Sequence, residues 1–266
     1  WNLGLPELAA DEPGTKLSNL DYAPLAEIMG RLFWAPEVFN CQAPDVPNMI
    51  ALQNCATPAQ KARWLHPLLE AQTRSAFGMT EPDVASSDAT NVATRMIRRG
   101  DDYVISGRKW FITGAGEASH FILMARTSED SRKGLTAFLF HRDQPGWHIE
   151  RRIPIMGPEE HGGHCELVFD GLEIPEEDVL LGEGQGLKVT QIRLGPARLT
   201  HCMRWLGLSK RCVEIARAYA EERSGFGVRL ADRESIQLML GDLAMRIEIG
   251  RLLVMKAAWE LDRGGF

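Results

Sequence analysis

The sequence predicts an α+β, multidomain chain that is helical at its start, β in its middle and helical again at its end. Three observations carry this. Residues 1–75 place apolar side chains at helical spacing between Pro-rich turns. Residues 76–182 alternate short apolar runs with turn residues, at intervals that fit an antiparallel barrel or sandwich better than βαβ units. Residues 183–266 carry two long helical patterns with one Gly-containing break. The expected domains are therefore an N-terminal helical one (1–75), a central β one (76–182) and a C-terminal helical one (183–266).

In the first segment Asn19 is placed to cap a helix with Leu25, Ile28, Met29, Leu32 and Phe33 on one face. Thr57-Pro58-Ala59-Gln60 has the form of a capping box with Pro at the first helical position, opening a helix through Trp64, Leu65 and Leu68. Between them Phe39–Met49 reads as an irregular segment with two prolines. Strands are expected over 103–112, 121–125, 135–140, 147–150 and 165–169. The last segment predicts one helix from Leu187 to about Glu222. A second runs from about Ser235 to Asp262, with Ile236, Met239, Leu240, Leu243 and Ile247 at core spacing.

Composition excludes several classes. The chain is 44% hydrophobic and 25% charged over 266 residues, which is ordinary globular usage. Thirty basic side chains against thirty-six acidic ones give a net charge of −6, which speaks against a nucleic-acid surface or a polybasic membrane anchor. No run reaches the length of a membrane span. The five cysteines are scattered, without a C-x-x-C pair, and read as reduced thiols. The chain opens on Trp1 and closes on Gly-Gly-Phe266 directly after a helical stretch, so both helical domains are expected to be partial.

Familiar chemistry-bearing motifs are missing. Gly114-Ala-Gly116 and Gly182-Glu-Gly-Gln-Gly186 lack the context of a dinucleotide fingerprint or a P-loop and read as turns. His161-Gly-Gly-His164 has no third ligand nearby and reads as a loop rather than a metal site. No G-x-S-x-G elbow is present. Two stretches stand out as a pair: Phe77-Gly-Met79-Thr80 and Phe111-Ile112-Thr113 each set a Thr hydroxyl one residue beyond an apolar side chain at the end of a β segment. They either meet a flat heteroaromatic ring or satisfy local backbone groups. Arg198 and Arg223 are solvated by default, and become anion ligands only where a phosphate-bearing ligand is implied.

With these residues in view the chain resembles the acyl-CoA dehydrogenase family along essentially its whole length. The family's Thr-Glu-Pro…Ser-Asp signature is matched by Thr80-Glu81-Pro82…Ser87-Asp88, and its Trp-Ile-Thr motif by Phe111-Ile112-Thr113. Its E-L-x-F-D segment is matched by Glu166-Leu-Val-Phe-Asp170, and its E-R-x-x-F-G break by Glu222-Arg223-Ser-Gly-Phe226-Gly227. Cys41-Gln-Ala-Pro-Asp45, Gly162-Gly-His164 and His201-Cys-Met-Arg204 are similar to the group of family members ten and eleven.

The resemblance implies a FAD-dependent enzyme that forms a trans-2-enoyl-CoA from an acyl-CoA thioester. It implies that Phe77, Met79, Thr80, Ser86 and Ser87 run along FAD and that Phe111, Ile112 and Thr113 cover a flavin face. Arg223 and Phe226 would serve the FAD of a neighbouring subunit, in a homo-oligomer (dimer or tetramer). Ser87, Gly195, Pro196, Ala197 and Arg198 would contact the acyl-CoA. An electron-transfer flavoprotein is implied as reoxidant. The compartment implied is the cytoplasm in a bacterium, or a mitochondrion or peroxisome in a eukaryote.

Three departures bear on these roles. The loop Glu81–Asp88 is one residue longer than the common form, which leaves the role of Ser86 and of Ser87 interchangeable. Phe111 stands where Trp is usual. Ala197 occupies the position from which a minority of the family takes its catalytic base, so no catalytic residue is assigned within the chain and the base is expected beyond Phe266. An oxidase or flavin monooxygenase of the same fold, or a non-catalytic homologue lacking the base, is the alternative.

Overall fold

The computed structural model describes residues 17–85, 87–157 and 162–264. Compactness divides them into one unit of residues 42–195 and another of residues 17–41 with 196–264. Helices α1 (Asn19–Gly30) and α2 (Ala35–Val38) belong to the second unit; α3 (Asp45–Cys55), α4 (Pro58–Gln60) and α5 (His66–Leu69) belong to the first. The helical order, then β, then helical, is the one expected of an α+β multidomain chain.

In the first unit the capping box forms: the Thr57 hydroxyl accepts from Gln60 N–H, and Gln60 reaches back to Thr57 N–H. The helix it opens is interrupted by a π turn over Lys61–Leu65, and Trp64, Leu65 and Leu68 are buried as their spacing predicts. Phe39–Met49 is irregular only at its start, since α3 begins at Asp45.

The sheet contains β1 (Ser75–Gly78), β2 (Arg95–Arg99), β3 (Asp102–Thr113), β4 (His120–Arg126), β5 (Leu135–His141), β6 (Trp147–Arg152), β7 (His164–Pro175) and β8 (Val179–Leu180). Its order is β6-β7-β3-β2-β4-β5-β8, with β1 beside β4. Most pairs are antiparallel, but β1–β4 and β2–β4 are parallel, which corrects the wholly antiparallel expectation. Strand β2, Arg-Met-Ile-Arg-Arg, escapes a pattern reading because four of its five side chains are exposed. The core beneath the sheet is aromatic, with Phe121 stacked on Phe140 at 4.7 Å and Trp147 set edge-on to both.

The second unit holds most of α6 (Gly186–Glu222), the two-stranded β9 (Ser224–Gly225) and β10 (Val228–Arg229), and α7 (Glu234–Asp262). Three expectations are corrected here. Ser18, not Asn19, caps α1; Asn19 is buried and donates to Asp262. The buried face of α1 is Tyr22, Ala23, Ala26 and Met29, whereas Leu25, Ile28, Leu32 and Phe33 are exposed. Helix α1 lies close against α6 at two glycines: a Cβ on Gly30 would meet the Arg204 carbonyl oxygen at 2.0 Å, and one on Gly207 the Glu27 oxygen at 1.8 Å. On α7 the buried side chains are Val254 and Ala258, while Met239 and Leu243 lie exposed and Ile236, Leu240 and Ile247 are half-buried.

The His120 ring of β4 lies 5.4 Å from the Trp64 ring, tilted at 44°, and its Nε2 has no hydrogen-bond partner among the described residues. Burial, followed by the nearby His141, lowers its pKa from 6.5 to about 4. The unfolded chain therefore takes up this proton first, and stability present above pH 6.5 is lost as the pH falls toward 4. Denaturant unfolding at pH 7 and pH 5 is expected to differ by about 2 kcal/mol through this group alone. His120→Leu is expected to remove that part of the pH dependence.

Candidate functional site

The two paired stretches meet within the first unit. Past the end of β1 the chain runs beside β3: Trp110 N–H donates to the Thr80 carbonyl at 2.9 Å, and the Thr80 hydroxyl donates to the Trp110 carbonyl at 2.5 Å. The Thr80 O–H is thus spent on the backbone of β3, 30 residues away, rather than on a local group. Thr113 differs, because its hydroxyl lies 3.0 Å from Nδ1 of His164. The turn after Thr113 is held to the β6–β7 connection by Gly114 N–H and Gly116 N–H donating to Gly163 and Gly162 oxygens. A Cβ on Gly116 would stand 2.5 Å from that Gly162 oxygen, so only glycine permits the approach.

Between Lys109 and Ile112 the β3–β7 register slips, two residues of β3 facing one of β7. The bulge leaves Phe111 at φ 51°, a left-handed conformation costly for an aromatic residue, and turns its ring outward to 44% exposure. Trp110 packs edge-on against it at 4.9 Å. Ile112, expected to share in covering a ring, is instead 1% exposed in the core beneath the sheet. Strand alternation resumes after the bulge and sends its side chain inward.

Behind this surface lies a buried ion pair that the motif reading did not single out. Lys109 Nζ donates to a Glu81 carboxylate oxygen at 2.7 Å and to the Met79 carbonyl at 3.0 Å. The same carboxylate accepts from Ala93 N–H at 2.7 Å and Thr94 N–H at 2.9 Å. Both ends of the polar loop are thereby tied together. Burial lowers Lys109 from 10.5 to about 8. Burial works against the Glu81 carboxylate too, but Lys109 and the hydrogen bonds outweigh it and hold Glu81 below the usual range.

A second buried chain fixes the start of β1. Asp45 accepts from Ser75 N–H and Ser75 O–H, both at 2.7 Å, and from Gln42 at 2.6 Å and Arg74 at 3.0 Å. Ser75 Oγ accepts from Asn48 Nδ2 at 2.9 Å, and Asn48 Oδ1 accepts from Arg193 Nε at 2.7 Å. The Arg193 guanidinium stacks 3.9 Å from the centre of the Phe77 ring. Burial lowers the Arg193 pKa to about 9, so it remains a cation at neutral pH. No motif in the sequence marks Arg193; its burial appears only in the fold.

The other expected positions fall as follows. Phe77 and Met79 are half-buried, Ser87 is exposed, and Ser86 lies outside the described residues. So does His161 of the His-Gly-Gly-His turn. Gly195 and Pro196 are half-buried on α6, Ala197 is buried and Arg198 is exposed. Arg223 is exposed at the end of α6, and Phe226 at the β9–β10 turn is fully exposed with φ 56°. Arg223 and Phe226 belong to the second unit, as do Pro196, Ala197 and Arg198.

The acyl-CoA dehydrogenase middle-domain profile matches residues 76–172, and the acyl-CoA dehydrogenase C-terminal-domain profile matches residues 184–265. The chain belongs to the acyl-CoA dehydrogenase family. It is 42% identical over 272 residues to acyl-CoA dehydrogenase family member 11 of Gallus gallus, covering 100% of this chain and 34% of that protein. Among solved structures it is similar to butyryl-CoA dehydrogenase of Megasphaera elsdenii, with a TM-score of 0.78 and 30% identity over 92% of this chain and 63% of that one. It is also similar to the FAD complex of PigA, with a TM-score of 0.83 and 26% identity over 97% of this chain and 68% of that one. The chain thus spans about a third of the chicken relative and less than two thirds of the butyryl-CoA dehydrogenase.

Asn48 is the one side chain that joins Arg193 to Ser75. Asn48→Ala leaves a buried guanidinium Nε–H and a buried hydroxyl short of a partner, and is expected to cost about 3 kcal/mol. Chemical denaturation of the variant against wild type measures it.

Proposed function

We propose that this chain carries the flavin-binding and thioester-binding core of a FAD-dependent acyl-CoA dehydrogenase, which forms a trans-2-enoyl-CoA. The observation that carries the reading is Phe111. An aromatic side chain held outward on a bulge, in a strained conformation and beside two threonines, is costly to maintain without a ligand. Family membership and the likeness to a FAD complex support the same reading.

The residues present fit such a group. Phe111 offers an open aromatic face, and the Thr113–His164 pair offers a hydroxyl and an imidazole at its edge. Phe77, Met79, Thr80 and either Ser86 or Ser87 would continue that wall. When bound, FAD supplies the hydride acceptor. The chain's own part is to hold the acyl group in register and to shield the reacting carbons from water, with Gly195, Pro196, Ala197 and Arg198 on the thioester side. Ala197 offers no carboxylate, so in this reading the base that removes the α proton comes from the C-terminal part of the full-length protein. Arg223, exposed at a helix end, would meet pyrophosphate bidentately on a neighbouring subunit, with Phe226 beside it. A homo-oligomer and an electron-transfer flavoprotein as electron acceptor complete the proposal. No described helix is long and apolar enough to cross a membrane.

The full-length protein is expected to bind FAD near stoichiometry and to lose flavin absorbance when acyl-CoA is added without oxygen. A colourless protein that takes up no FAD contradicts the proposal, and rapid reoxidation in air with peroxide release points to an oxidase. Phe111→Asn tests the wall itself, because Asn tolerates positive φ. Thermal stability is expected to hold or rise by about 1 kcal/mol while FAD affinity falls about tenfold.

A further inference from the structure

Glu81 and Lys109 are nearly inaccessible, at 4% and 0% exposure, and both belong to the segments that form the wall. Lys109 lies two residues before Phe111 and donates directly to the carbonyl of Met79, next to Thr80. Glu81 follows Thr80 and is fixed by two backbone N–H groups as well as by Lys109. Together the two side chains carry no net charge. Separately, each would be a unit charge in a medium of low dielectric, where charge acts over longer distances than in water.

We infer that the Glu81–Lys109 pair is an electrostatic positioning pair that sets the reduction equilibrium of a flavin held at this wall. The inference rests on the FAD reading above. Reduction of the flavin takes up two electrons and one proton, and so leaves the ring one negative charge richer. In the proposed reaction the electrons come from the acyl-CoA Cα–Cβ bond, which becomes the enoyl double bond with loss of the α proton. A nearby uncompensated cation favours the reduced ring, and an uncompensated carboxylate disfavours it. The paired state holds the balance between them while tying Met79–Glu81 to β3.

The test is the flavin midpoint potential in the full-length protein, measured against a redox dye, for wild type, Lys109→Met, Glu81→Gln and the double variant. Lys109→Met is expected to shift the equilibrium about tenfold toward the oxidised flavin, about 30 mV lower for a two-electron couple. Glu81→Gln is expected to shift it upward by less than that, because a buried Lys109 without its carboxylate gives up its proton more readily, and the double variant to return within about threefold of wild type. A merely structural role moves both single variants the same way or neither, and that result overturns the inference. If a single variant no longer holds flavin, the double variant decides: a potential near wild type supports the inference, and a displaced one or lost flavin overturns it. A wild-type protein that takes up no FAD overturns the underlying reading and the inference with it, whereas wild-type flavin with unmoved variants overturns the inference alone.

Discussion

The local architecture of the candidate site depends on one contact, the buried ion pair between Glu81 and Lys109. Glu81 brings the chain leaving β1, and through Ala93 and Thr94 the chain entering β2, to a single carboxylate. Lys109 brings β3, the long strand that pairs with both β2 and β7. Such a pair is weak evidence for stability, because desolvation offsets much of the Coulomb attraction. Its value lies in geometry: hydrogen bonds from both segments converge on two side chains, and a displacement of either segment would leave a buried charge unpartnered. The reciprocal Thr80–Trp110 bonds then fix the register next to it.

From that anchor the exposed chemistry follows by short steps. The bulge after Lys109 turns Phe111 outward, alternation returns Ile112 to the core, and Thr113 reaches His164 across the β3–β7 ladder. At the other end of β1, Asp45 and Ser75 hold the strand while Asn48 and Arg193 bear on Phe77. The strand that carries the first half of the wall is therefore fixed by buried polar networks at both ends. Networks of this kind are costly unless every member is satisfied, which makes them sensitive to single substitutions.

Much of this was legible in the residues. The order of helices and strands follows from periodicity, the capping box from four letters, and the interest of the Thr80 and Phe111–Thr113 stretches from their shared position at strand ends, although Thr80 bonds to Trp110. What periodicity does not carry is the identity of the neighbour. Leu25 and Ile28 have helical spacing, yet glycines on α1 and α6 bring the two backbones close, and the face turned inward is that of Tyr22, Ala23, Ala26 and Met29. Ile112 looked equivalent to Phe111 because a bulge has no signature in a single sequence. Lys109 and Arg193 carry no local signal of burial, because theirs depends on partners 28 and 145 residues away.

The decisive point is whether a flavin lies against the bulged segment. The most direct measurement is a crystal structure of the full-length protein loaded with FAD. The isoalloxazine ring is predicted to lie within van der Waals reach of Phe111, about 3.5–4 Å, with its edge at Thr80 and Thr113 and the Glu81–Lys109 pair intact behind it. A flavin bound elsewhere, with Phe111 still turned outward and uncovered, would contradict it.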